Sequence, residues 1–99
     1  MSIRITNPSE RLAALKQFFF SPGKLEEKFI VFVRLATGST TIVAVAGCQG
    51  REKAKEQAIS ELMALGYLST EIISCDVYSA DDLETLGRAT DSFNHRNQA

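Results

Sequence analysis

Two neighbouring stretches of the chain, Lys28 to Ala36 and Thr40 to Ala46, are apolar on both of their alternating sets of positions. In an extended strand successive side chains point to opposite faces, so Phe29, Val31, Val33 and Leu35 project one way and Ile30 and Phe32 the other. A strand with one wet face alternates apolar with polar residues; these two do not, and they predict a sheet covered on both sides. Thr37-Gly38-Ser39 between them reads as the turn of a hairpin. Helices are expected to cover one face. The other is then left for the C-terminal segment, a second copy of the chain or a partner, which makes Ile30 and Phe32 candidate partner-binding residues.

Around this hairpin the pattern predicts further elements. Ser2 to Thr6 alternates apolar with polar residues, a short strand resting on Ile3 and Ile5. Asn7-Pro8-Ser9-Glu10 has the composition of a helix start, with Asn7 as cap, Pro8 at the first helical position and Glu10 reaching back. Leu12, Leu15 and Phe19 follow at helical spacing until Ser21-Pro22-Gly23 stops the helix. Arg51 to Leu65 carries an apolar stripe of Ala54, Ala58, Leu62 and Leu65, with the alanines permitting close approach to a sheet. Gly66 fits the position just past that helix, with Tyr67 and Leu68 expected to pack back on it. Glu71 to Tyr78 is a third strong strand. Ser79-Ala80-Asp81-Asp82 then opens a helix through Leu83 and Leu86 toward Phe93, and the polar segment Asn94 to Ala99 reads as a frayed tail.

The order strand, helix, strand, strand, helix, strand, helix predicts an α+β domain: a ferredoxin-like βαββαβ sandwich, two helices on one face of a four-stranded antiparallel sheet, with an extra C-terminal helix. Without the first strand the order becomes αββαβα around three strands. Residues 1–93 form one domain in either case. At 99 residues and 44% apolar composition the chain has enough material for one small core, and a domain of this size gains from association through an apolar face.

Charge narrows the function classes. Eleven basic and twelve acidic residues leave a formal charge of −1, which argues against a non-specific grip on nucleic acid backbone. The balance is uneven along the chain: Met1 to Arg34 holds six basic and three acidic residues, whereas the remainder holds five basic and nine acidic. No signal-peptide pattern and no apolar run of membrane-spanning length occurs, so a soluble, cytoplasmic protein is expected. Cys48 and Cys75 are too few and too far apart for a disulfide framework and read as reduced thiols.

Few residues invite chemistry. Gly47-x-x-Gly50-Arg51, with Lys53 nearby, stands at a strand-to-helix corner where amides and a guanidinium can hold an anion; the plain reading is a tight turn. Cys48 at the same corner has no histidine base at hand, because His95 belongs to the tail. Asp76, Asp81, Asp82 and Glu84 form an acidic group that lacks the rhythm of a calcium loop and suits a helix start, or a patch that selects a basic partner. Phe18-Phe19-Phe20 cannot all face one way on a helix, so one of them is expected to point outward as an interface anchor; Phe18 and Phe20 are the candidates.

Lys53-Ala54-Lys55 with Ala58 resembles the start of the second helix of double-stranded RNA-binding domains, where lysines meet phosphates. The likeness covers a few residues, and Glu52 and Glu56 dilute the charge. RNA-recognition motifs share the βαββαβ order but stack bases on aromatic residues of the sheet, and Ile3, Ile5, Val43 and Val45 offer none. The expectation is a non-catalytic protein-interaction module, a homodimer or a subunit, adaptor or inhibitor of a larger complex. It needs no cofactor and no metal, and acts through an apolar sheet face and an acidic patch. A ligand-binding regulatory domain with an anion at Gly47 to Arg51, and an RNA-binding domain, are the alternatives.

Overall fold

The computed structural model describes residues 2–4 and 11–96, with side chains from 13 to 90. The helix start expected at Asn7 to Glu10, the end of the first strand at Ile5 and Thr6, and residues 97–99 lie outside the described residues. The elements in order are β1 (Ser2–Arg4), α1 (Arg11–Phe20), β2 (Phe29–Leu35), β3 (Thr40–Val45), α2 (Arg51–Ala64), β4 (Ile72–Tyr78) and α3 (Leu83–Arg96). Short 3-10 turns at Leu25–Glu27, Ser69–Glu71 and Ala80–Asp82 connect them. The fold is α+β, with the βαββαβ order and the additional C-terminal helix. That helix runs to Arg96, three residues into the segment read as a tail.

All four strands form one antiparallel sheet in the order β1-β3-β2-β4. Two antiparallel steps separate β1 from β2, so these strands run parallel, and β3 and β4 are parallel for the same reason. Each parallel pair is joined by a helical crossover that skips one strand: α1 over β3, and α2 over β2. Both crossovers step across the sheet in the same direction, but their strands point opposite ways. Two crossovers of equal hand must then place their helices on opposite faces. Had β4 taken the edge beside β1, the second step would have reversed and both helices would share a face. The edge chosen by β4 therefore decides what covers the hairpin.

The packing agrees with this geometry. On one face Phe29, Val31, Val33, Leu35, Val43 and Val45 lie under Ala54, Ala58 and Leu62 of α2, with Ile72, Cys75, Val77 and Tyr67 at the margin. On the other face Ile30, Phe32, Ile42 and Ala44 lie under Leu15 and Phe19 of α1 and Leu86 of α3. The apolar two-facedness of the hairpin is thus satisfied within the chain. This corrects the expectation that Ile30 and Phe32 stand on an open docking face: Ile30 is fully buried, and Phe32, 6% exposed, packs edge-on against Tyr78 at 5.3 Å. A sheet face already covered by two helices offers no surface to a partner. Arg34, the next residue on the face of Ile30 and Phe32, is exposed, and marks where that cover ends.

Local chemistry fixes the element ends. Lys28 is 3% exposed, and its ammonium donates to the carbonyls of Phe18 (3.2 Å), Phe19 (3.5 Å) and Ser21 and to Ser21 Oγ (2.9 Å), 5.7 Å from the centre of the Phe18 ring. It fills the role of a cation at the negative end of a helix, satisfying carbonyls that α1 itself leaves open. At the end of α2, Tyr67 N–H donates to Leu62 and Gly66 N–H to Met63, the paired bonds of a Schellman cap that a glycine in the left-handed region completes. Tyr67 packs back as expected, whereas Leu68 stays exposed. In α3 the buried Thr90 hydroxyl donates to the Leu86 carbonyl at 2.7 Å, which lets a polar side chain enter the core without an unsatisfied donor.

Candidate interaction surface

At the corner between β3 and α2, Gly47 and Gly50 hold φ of +73° and +108°, a backbone that L side chains rarely adopt. The Arg51 side chain that follows is already engaged. It donates to the Val77 carbonyl at 2.7 Å and to Asp82 Oδ2 at 2.8 Å, tying the start of α2 to the end of β4. Asp82 also accepts from the Ser79 backbone and hydroxyl, and these bonds with Arg51 hold its carboxyl below the ordinary carboxylate range. Beside this corner an open groove of about 540 Å³ is lined by Gly47, Cys48, Gln49, Lys53, Glu56, Gln57 and Ser60. Its cation, Lys53, lies 3.5 Å from Glu56. The guanidinium expected to grip an anion is absent from that lining, and the lysine present is already paired with a carboxylate.

Cys48 is buried and Cys75 half-buried, both are free, and burial pushes both thiols up. Among the described residues no three His, Cys, Asp or Glu side chains are grouped to hold a metal.

The acidic group is divided by its partners. Asp82 is bridged to Arg51, and Glu84 pairs with Arg88 one turn along α3 at 2.8 Å. Asp76 and Asp81 are exposed and enter no ion pair among the described residues. Burial first, then the charges of Asp76 and Asp82, pushes the Tyr78 hydroxyl up. Of the three phenylalanines, Phe19 is buried, Phe18 is half-buried against the α1 and α3 core, and Phe20 is 73% exposed, so one points outward as the pattern required.

Two features escaped sequence reasoning. The first is the free edge of the sheet. β1 stands at one side of the sheet, and β4, a seven-residue strand at the other, pairs only with β2 among the described strands, with Ile73 skipped at a shift in register. The second is the apolar chain leading into that edge: Met63, Leu65 and Leu68 are exposed, and Ile73 on β4 is 61% exposed. Leu65, read as part of the buried stripe, instead falls at the cap of α2 and faces out. Periodicity alone identified β4 but carried no information about which strand it would join.

Comparison with protein-family models, with curated proteins and with solved structures gives no match. No helix among the described residues is long and apolar enough to cross a membrane.

Proposed function

We propose that this protein is a non-catalytic protein-interaction module that receives its partner along the β4 edge. The observation that carries the reading is a seven-residue edge strand with an exposed isoleucine at position 73, preceded along the chain by exposed Met63, Leu65 and Leu68. Natural sheets blunt such edges with charged side chains, proline, bulges, covering segments or very short strands, and the register of β4 against β2 shifts at Ile73. β4 contains neither lysine nor proline; it carries one exposed charge, Asp76, and Arg51 donates to its Val77 carbonyl. An extended segment added there would gain main-chain hydrogen bonds, with Ile73 supplying apolar contact. The acidic residues Asp76 and Asp81 would bias the choice toward a basic partner.

The test compares Ile73→Lys, which installs an edge-protecting charge, with Phe20→Asp, which alters the other exposed anchor. Light scattering at several concentrations reads self-association, and co-purification from the native host reads other partners. The reading requires that Ile73→Lys loses whatever the wild type and Phe20→Asp both retain. Retention by Ile73→Lys with loss by Phe20→Asp moves the interface to the end of α1 and overturns the β4 reading.

A further inference from the structure

We infer that the depression at the end of the sheet, between the 3-10 turn Leu25–Glu27 and the 3-10 turn Ala80–Asp82, receives an arginine or lysine side chain of the partner protein. This rests on the interaction reading and specifies the chemistry of the partner. The depression has a volume of about 240 Å³ and is lined by Leu25, Glu26, Phe29, Ser79, Ala80 and Asp81. It lies where β2 begins and β4 has just ended, so a chain laid along β4 reaches it.

Its chemistry is of two kinds. Phe29 is buried in the floor and Leu25 is half-exposed on the wall, whereas Glu26 and Asp81 are exposed carboxylates contributed by segments far apart in sequence. Neither carboxylate enters an ion pair among the described residues. Their neighbours do: Asp82 is neutralised by Arg51 and Glu84 by Arg88, and Lys28, close to Glu26 in sequence, is turned into the end of α1. The fold thus brings to one apolar depression two carboxylates that no described cation neutralises. A side chain with an apolar stem and a cationic head satisfies both parts at once, the stem on Leu25 and Phe29 and the head between the carboxylates. The volume is below the roughly 300–1,000 Å³ of small-molecule sites, which fits one long side chain better than a whole ligand.

The experiment titrates the isotopically labelled full chain, at physiological salt, with N-acetyl-arginine methylamide, N-acetyl-lysine methylamide and the uncharged N-acetyl-citrulline methylamide, read by amide chemical shifts. Saturable shifts at Leu25, Glu26, Ser79, Ala80 and Asp81 with either cationic probe and not with citrulline are the expected result. The double variant Glu26→Gln, Asp81→Asn should weaken that binding about fivefold, the scale of a partly exposed ion pair. Shifts spread equally over Glu52, Glu56 and Asp76, or binding unchanged in the double variant, would overturn the inference. Ile73→Lys leaves this titration intact, so failure of the depression and failure of the β4 edge are separately visible.

Discussion

The two faces of the central hairpin are equally apolar but are closed in different ways. On the face of Val31 and Val43, one helix suffices: Ala54 and Ala58 bring α2 close, and Leu62 fills the remaining space. On the face of Ile30 and Ile42, two helices from opposite ends of the chain meet, α1 through Leu15 and Phe19 and α3 through Leu86, and polar groups are drawn in with them. Lys28 anchors the end of α1, and Thr90 sits in the core bonded to its own helix. A single continuous crossover can rely on apolar contact, whereas a two-piece cover also needs devices that hold its pieces in position.

The largest break in that contrast is expected from Phe32→Ala, which empties a site roofed by two helices. A loss of about 3–5 kcal/mol in urea unfolding is the scale for such a cavity. The matching insult on the other face is Ala58→Leu, which forces α2 off the sheet at a cost of about 1–3 kcal/mol by overpacking. A larger loss for Ala58→Leu than for Phe32→Ala would mean that the α2 face is the less tolerant of the two.

Lys28→Met tests the anchoring device by keeping the stem and removing the cation. It should cost about 1–3 kcal/mol, since several carbonyls lose a charged donor. Hydrogen exchange should speed up in α1 and remain slow in α2; uniform acceleration would show that the cap has no local role. Gly23→Ala probes the same loop from its backbone: Gly23 holds φ of +124°, and an added Cβ would stand 3.2 Å from the Lys28 side chain. About 1–3 kcal/mol of strain is expected, and thermal unfolding would read it.

The smallest effect concerns the bridge across the end of the sheet. Asp82 is held below its ordinary value of 3.8 by the Ser79 backbone and the Arg51 side chain. A lowered folded-state value means that ionised Asp82 contributes stability fully above about 3.8, lost as pH falls through the folded value. Asp82→Asn should therefore flatten the acid side of the stability profile below that pH while leaving the slope near neutrality unchanged. A variant that parallels the wild type down to the acid limit would count against the bridge.

Much of the secondary structure was legible from the residues alone. Helical spacing of Ala54, Ala58 and Leu62 placed α2, β-branched runs placed β2, β3 and β4, and Gly66 marked the end of α2 as the left-handed cap requires. Less of the candidate surface was legible. Phe20 and the exposed Asp76 and Asp81 were among the residues singled out, but Ile30 and Phe32 are core, and Arg51 is held within the molecule. Leu25, Glu26 and Ile73 carried no signal, because their importance comes from what lies beside them.

The sequence by itself determined that both faces of the hairpin must be covered, since apolar side chains at consecutive strand positions leave neither side for water. Only the tertiary structure decided what covers them. β4 joins β2 instead of β1, and with crossovers of equal hand that one choice sends α2 to the face opposite α1. Periodicity records which way a side chain points from its own backbone, not which strand edge a distant segment will find. The same pairing leaves the outer edge of β4 without a strand among the described residues and brings Glu26 and Asp81 to the lining of one depression, so these surfaces follow from topology.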